Sequence, residues 1–386
     1  MKIISVVGAR PNFMKIAPFV GAVNEHNRLH PDQPIQHLLV HTGQHYDLRM
    51  SESFFNDLRI PPPDINLEIG SGTHAEQVGH TMIAFEKVLL RERPDWVVVV
   101  GDVNATLACS VTAKKLQVKV CHIEAGLRSG DMSMPEEINR LVTDRLSDLL
   151  LTPDRLSTDN LLKEGVAPEK IRFVGNIMID TLEANRAKAM ALDPAGILSS
   201  NILPDSRVPD VFPEQYALIT MHRPSNVDQE EVLSAIIRFL TREVSPLMPL
   251  LWPVHPRTEK MLRQFGLWNE LSTCPGIVLL HPLRYQEMVR LNMNATIMLT
   301  DSGGLQEECC VLGTPCLTLR WNTERPITLR QHGGASELVG NDIAQIRDAF
   351  SRAISNGRVP QRPELWDGKA AVRCVGALVK SQESRY

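Results

Sequence analysis

Short apolar runs rich in β-branched residues recur along the 386 residues, each followed by a longer amphipathic stretch. Residues 97–100 are four consecutive valines, a strand with no polar face. Such a strand is stable only when covered on both sides. Several of them separated by helices specify a parallel sheet with helices on both faces. Strands are expected at residues 3–7, 37–40, 97–100, 118–121, 149–151 and 171–174. Helices are expected at 13–24, 75–91, 105–115, 135–146 and from 155 onward. The pattern then restarts, with strands at 216–220, 250–254, 277–280, 295–299 and 316–319. Two sheets mean two domains, and length agrees, since one core rarely grows far past about 250–300 residues. Residues 193–213 are rich in Pro, Ser and Asp and are expected to form a loop near the domain boundary. Ligands of such sheets bind beyond the carboxyl ends of the strands, so the expected site is a cleft between the two sheets.

Charge and cysteines narrow the class. Lys and Arg total 41 against 45 Asp and Glu, a net charge of −4. That balance carries no nucleic-acid footprint, and no nucleic acid is expected as a partner. No stretch approaches the roughly 18 apolar residues of a membrane span, and the apolar run at the N-terminus is too short for a secretory signal. No membrane partner is expected. The seven cysteines are odd in number, scattered and without a CxxC pair. Buried free thiols in a reducing cytoplasm are expected, not a disulfide framework or a zinc site.

Nearly every polar cluster follows a predicted strand. Gly8-Ala9-Arg10-Pro11-Asn12, with Lys15 beyond it, follows the first. A glycine turn into a helix start favours an anion, and Arg10 and Lys15 add positive charge, although the same residues suit a plain strand–helix turn. No G-x-G-x-x-G follows this strand and no G-x-x-x-x-G-K-[ST] occurs anywhere, so a dinucleotide oxidoreductase and a P-loop ATPase lose their main support. Gly101-Asp102 follows the valine strand, with Asp102 either facing the cleft or capping a helix. His122-Ile123-Glu124-Ala125-Gly126-Leu127-Arg128 follows the next. Pro135-Glu136-Glu137-Ile138-Asn139-Arg140 opens a helix, where Glu136 and Arg140 are spaced for an i,i+4 ion pair. Asp102, Glu124 and Glu136 in one cleft would repel one another, which favours a protonated general acid.

The second half repeats the arrangement. His222-Arg223 follows one strand and His255 the next. Thr300-Asp301-Ser302-Gly303-Gly304 follows another and opens a helix carrying Glu307 and Glu308. Ser302, Gly303 and Gly304 offer backbone N–H groups to a phosphate, and Glu308, nearly two turns on, could reach ribose hydroxyls. A generic Gly-rich turn is the plainer alternative. No HExxH and no Asp-x-Asp occurs, so metal catalysis has no sequence support.

In this order, these motifs resemble the non-hydrolysing UDP-N-acetylglucosamine 2-epimerases. His41-Thr42-Gly43-Gln44-His45, Val174-Gly175-Asn176, Pro253-Val254-His255 and Thr323-Glu324-Arg325-Pro326 add to the match, which runs nearly the whole chain to Gly340. The resemblance implies an α/β, GT-B-like fold of two Rossmann-type doubly wound domains with an interdomain cleft. It places residues 1–178 and a returning helix at 369–386 in the first domain, and the UDP-binding domain at 179–368. It implies a UDP-sugar substrate, no cofactor, a homodimer and a cytoplasmic location. Its roles fall on Asp102, Glu124, Glu136 and His222 as catalytic residues. Arg10, Lys15, Arg140, His255, Ser302, Gly303, Gly304 and Glu308 would bind substrate.

The chemistry explains the need for carboxylates. The C2 hydrogen of the sugar is not α to a carbonyl, so direct proton abstraction is slow. The family route eliminates UDP to a 2-acetamidoglucal and re-adds it with the C2 proton on the other face. That needs a base, an acid and a cradle for the departing diphosphate. The residues depart from the commoner family form at Ala9, Asn12, Val103, Asn104, Ala105, Pro224 and Ser225. Relatives acting on 2,3-diacetamido uronic-acid sugars share Gly-Ala-Arg-Pro, which keeps that substrate open. Gln44 and His45 match part of an activator site, whereas Gly72-Thr73-His74 does not match the rest. A hydrolysing epimerase, a GT-B glycosyltransferase and a sugar-nucleotide-binding regulator are the competing classes.

Overall fold

The computed structural model describes residues 1–8, 10–43, 61–207, 209 and 211–383, with Arg10 and Pro11 described by their backbone alone. The chain forms two compact units, Met1–Thr181 together with Pro363–Tyr386, and Leu182–Arg362.

The first unit holds strands β1 (Lys2–Val7), β2 (Gln36–His41), β3 (Ile65–Asn66), β4 (Trp96–Val100), β5 (Lys119–Ile123), β6 (Leu149–Thr152) and β7 (Ile171–Phe173). They form one sheet in the order β3-β2-β1-β4-β5-β6-β7, every pair parallel. All five residues of β4 are buried, as a faceless strand requires. Val97 and Val99 pack with Phe85, Val88, Ala105 and Cys109 from the flanking helices. Helix His74–Glu92 starts at a capping box in which Thr73 and Glu76 satisfy each other's backbone N–H groups.

The second unit holds β8 (Ala217–Thr220), β9 (Leu250–Pro253), β10 (Ile277–Leu280), β11 (Ile297–Thr300), β12 (Cys316–Thr318) and β13 (Ser336–Leu338). Their order is β10-β9-β8-β11-β12-β13, again all parallel. Successive residues enter opposite layers: Ala217, Ile219, Leu250 and Trp252 pack on one face, Leu218, Leu251 and Val278 on the other. Both units are Rossmann-type sheets, and the fold class is GT-B-like.

Strand order reverses direction between β1 and β4 in the first sheet and between β8 and β11 in the second. These switch points are where the loops after adjacent strands part and leave room for a ligand. The residues that follow those strands are Gly8, Gly101-Asp102, Met221-His222 and Asp301-Ser302.

One expected loop is corrected. Within 193–213, Pro194–Asn201 is an α-helix, and Ile202 bridges Leu280 in antiparallel sense. Asp193 caps it, accepting from Gly196 N–H at 3.0 Å, and Pro194 occupies its first turn. Ile197 and Leu198 bury against the second sheet. The Asp-Pro pair that suggested a turn is a helix start. The stretch lies inside the second unit, past the boundary at Thr181. All seven cysteines are free, and six are buried.

Candidate active site

At the first switch point the chain is built around Glu124. Strand β5 runs two residues past its expected end, so His122 is a strand residue and Glu124 begins the turn. Glu124 has φ +71°, a left-handed backbone that costs a non-glycine residue about 1–3 kcal/mol. The loops beneath it are fixed by a buried polar network. His122 Nδ1 lies 2.6 Å from Asp144 and its Nε2 lies 2.9 Å from the Gly101 carbonyl. Asp144 also accepts from Gly126 N–H at 3.0 Å and from Arg128 at 2.7 Å. Burial alone would raise the Asp144 carboxyl, but His122 and Arg128 outweigh it and hold it below the usual range.

One oxygen of Glu124 pairs with Lys15 from the first helix, Arg10–Leu29. The other, Oε1, is buried without a hydrogen-bond partner. A buried orphan acceptor costs about 1–3 kcal/mol, so it calls for an explanation such as a reacting group. Asn12 donates to the Val100 carbonyl at 2.7 Å and ties the same helix start to the end of β4.

Asp102 pairs with Arg140, and Asn139 donates to the Asp102 carbonyl at 2.8 Å. Here the sequence expectation needs a correction. Arg140 pairs with Glu137, at 2.6 Å, and not with Glu136. Glu137 also accepts from Ser129 N–H at 3.1 Å and Gly130 N–H at 3.0 Å. Burial would raise this carboxyl, but those N–H groups and Arg140 hold it below the usual range. The helix presents Glu137, Arg140 and Asp144 on its buried side, while Glu136 is half-exposed on the neighbouring face. Glu137→Gln is therefore expected to cost about 2–3 kcal/mol and Glu136→Gln less than about 0.5 kcal/mol, read by denaturant unfolding. Equal losses would contradict this pairing. Glu124 pairs with Lys15, while Asp102 shares Arg140 with Glu137.

At the second switch point Asp301 is the organiser. Its fully buried carboxylate accepts from the backbone N–H groups of His222 at 2.9 Å and Arg223 at 2.8 Å, and from Asn226 at 3.1 Å. It also lies 2.9 Å from His222 Nδ1. His255 caps helix Pro256–Gln264 by accepting from Arg257 N–H at 3.1 Å, and its ring sits 5.4 Å from that of His222.

Ser302 precedes helix Gly303–Leu312 as its N-cap, and no side chain caps it. A Cβ at Gly303 would stand 2.5 Å from Arg325 and 2.9 Å from Glu324, so the turn admits only glycine there without rearrangement. Arg325 is locked by Glu324 and by Glu307 at 2.8 Å, and Arg320 holds Glu324 at 2.7 Å. Glu308 is buried with Oε2 unpartnered. Burial pushes its carboxyl up to about 8; the Tyr285 hydroxyl opposes this and Glu307 adds to it.

Of the residues expected from sequence, Lys15, Asp102, Glu124 and Arg140 converge in the first unit, with Glu136 at the edge of the same helix. His222, His255, Ser302, Gly303 and Gly304 lie along the carboxyl ends of the second sheet, and Glu308 lies in the helix that follows. Arg10 is the first residue of its helix, and its side chain lies outside the described residues, as do Ala9, Gln44 and His45. Sequence reasoning gave no role to Glu137, Asp144 or Asp301. For Glu137 and Asp144 the signal is a polar residue on an otherwise buried helix face, visible only once the helix phase is known; Asp301 follows a strand, and its partners are set by tertiary contacts. Among the described residues no three His, Cys, Asp or Glu side chains group as a metal site, and no helix is long and apolar enough to cross a membrane.

Comparison with known proteins follows the same lines. The family model for UDP-N-acetylglucosamine 2-epimerase matches residues 27–379. The UDP-N-acetylglucosamine 2-epimerase of Methanocaldococcus jannaschii is 39% identical over 379 residues, 98% of this chain and 99% of that one. The UDP-2,3-diacetamido-2,3-dideoxy-D-glucuronate 2-epimerase of Pseudomonas aeruginosa is 40% identical over 384 residues, 98% of this chain and 100% of that one. The crystal structure of the Methanocaldococcus jannaschii UDP-GlcNAc 2-epimerase in complex with UDP-GlcNAc and UDP superposes with a TM-score of 0.85, covering 98% of this chain and 100% of that one at 39% identity. With nine-tenths of its length matched by the family and its strand ends carrying the family's motifs, this chain belongs to the UDP-N-acetylglucosamine 2-epimerase family.

Proposed function

We propose that this protein interconverts UDP-N-acetylglucosamine and UDP-N-acetylmannosamine, by elimination of UDP to a 2-acetamidoglucal and re-addition. The observation that carries the reading is Glu124, held in a left-handed backbone beside Lys15 with one buried oxygen unpartnered. In this reading Asp102, Glu124, Glu136 and His222 act at the sugar, supported by Lys15 and Arg140. Arg10, Ser302, Gly303, Gly304 and His255 take the diphosphate, and Glu308 takes the ribose. Free N–H groups at the start of helix Gly303–Leu312 suit a departing diphosphate. A proton must leave C2 and another must return on the opposite face, so a carboxylate that can change protonation is needed. Family membership also supports a homodimer and a cytoplasmic enzyme.

The purified protein in D2O, given only UDP-GlcNAc, is expected to form UDP-ManNAc carrying deuterium at C2, read by NMR and mass spectrometry. Protium retained at C2 would end the elimination mechanism. A second reading is favoured by the 40% identical Pseudomonas aeruginosa relative, named for a diacetamido uronate. Turnover of that sugar nucleotide with none of UDP-GlcNAc would select it. Release of free ManNAc would point to a hydrolysing epimerase, and consumption only with an acceptor to a glycosyltransferase.

A further inference from the structure

Two histidine–carboxylate ion pairs occur among the described residues, and they differ in one respect. His122 has both ring nitrogens engaged, Nδ1 by Asp144 and Nε2 by the Gly101 carbonyl, and its side chain is 1% exposed. It is a structural tie with no nitrogen left for a ligand. His222 has Nδ1 engaged by Asp301, while Nε2 has no hydrogen-bond partner among the described residues, and its side chain is 39% exposed. The Asp301 side chain is fully buried. An acceptor-only carboxylate at 2.9 Å from Nδ1 favours a ring proton there. That leaves Nε2 as the nitrogen that faces outward. Asp301 immediately precedes Ser302, so the ring stands beside the helix start proposed to hold the diphosphate.

We propose that Asp301 is a positioning residue: it fixes the Nδ1–H tautomer of His222, so that Nε2 exchanges a proton with the departing UDP. The inference rests on the epimerase reading above. As the C1–O bond breaks, its electron pair leaves with the β-phosphate oxygen. The Nε2–H proton of the imidazolium passes to that oxygen, and the neutral ring keeps Nδ1–H on Asp301. The C2 proton goes separately to a carboxylate, and its bonding pair forms the C1–C2 double bond. Re-addition reverses each transfer. Nε2 can give and take a proton only if Nδ1 keeps its own throughout.

Asp301→Asn separates this role from simple support. Oδ2 takes the shorter His222 N–H bond, the Arg223 N–H bond and the Asn226 bond, while Oδ1 faces the ring and shares the His222 N–H at 3.2 Å. An asparagine carbonyl in the Oδ2 place keeps the first set. Its amide then donates toward Nδ1, and the neutral ring carries its proton on Nε2 instead. Long-range 1H–15N correlation spectra should show Nδ1–H in the neutral wild-type ring and Nε2–H in D301N. The kcat of D301N for UDP-GlcNAc should fall about 10²-fold or more, with KM and the Kd for UDP changed less than about threefold. Wild-type Nε2–H, or D301N with wild-type kcat, would overturn the proposal. If D301N does not fold, the wild-type spectrum alone decides the tautomer. If wild-type protein leaves UDP-GlcNAc unchanged, the epimerase reading fails, while the spectrum still reports the Asp301 bond.

Discussion

Replacing Glu124 by Gln should lower turnover of UDP-GlcNAc by about 10²–10⁴-fold while UDP still binds. The substitution preserves shape, and the amide oxygen can still accept from Lys15. What it removes is the ability to take up and return a proton. Lys15 and Glu124 are nearly fully buried, with side chains 8% and 1% exposed. No bulk water stands by to replace the lost carboxylate. Because UDP is proposed to bind through Ser302, Gly303, Gly304 and Glu308, its Kd should stay within about threefold. Thermal melts of E124Q would show whether the fold survives. A folded E124Q that turns over at the wild-type rate would remove Glu124 from the mechanism and shift the proton chemistry to Asp102.

The second large effect is on stability against pH, through Glu308. Its carboxyl sits at about 8 in the folded protein because burial disfavours the charge, against an ordinary value of 4.5. Below pH 4.5 both folded and unfolded chains hold this proton, and its contribution is fully present. Between 4.5 and 8 the unfolded chain has lost the proton and the folded chain keeps it, so stability falls as pH rises. Above 8 both are ionised and the loss is complete. The shift of roughly 3.5 pH units corresponds to about 4–5 kcal/mol. Glu308→Gln removes the titration. Its stability relative to wild type should climb by that order between pH 4.5 and 8, measured by urea unfolding across the range, with a weakened affinity for UDP. A constant difference across the series would refute a high-pKa carboxyl here. UDP itself should restore part of the lost stability by binding only the folded state.

The sheets were legible because a parallel strand buried on both faces leaves a simple mark: 97–100 is four valines. Helix 135–146 was placed by its proline and two acids at the first turn. Candidate site residues were legible because they follow strands, and a switch point gathers strand ends whatever the side chains are. What sequence did not reveal is phase and partner. Glu136 and Glu137 differ by one position, and one step along a helix turns a side chain by about 100°. The pair is therefore settled by which face meets the sheet, a tertiary fact that selects Glu137 for Arg140. Asp144 and Asp301 carry no mark in the sequence for a related reason: each carboxylate is consumed by donors far away in sequence. Helix Pro194–Asn201 reads as loop from sequence because Asp-Pro suits both a turn and a helix start, and only the burial of Ile197 and Leu198 decides between them.

The division of the chain bears on how it emerges during synthesis. The second unit is continuous, 181 residues from Leu182 to Arg362. The first is completed by helix Ala370–Glu383, which packs on helix Arg10–Leu29 and buries Cys374, Val375 and Leu378. Asp180 caps that helix, accepting from Ala370 N–H at 3.0 Å and Ala371 N–H at 2.7 Å. At about 5–20 residues per second, the apolar flank of the first helix waits on the order of 20–70 s for its cover, which begins about 340 residues later. The half translated first is thus the half finished last. The interval in which it is incomplete is the one during which a chaperone has most to shield.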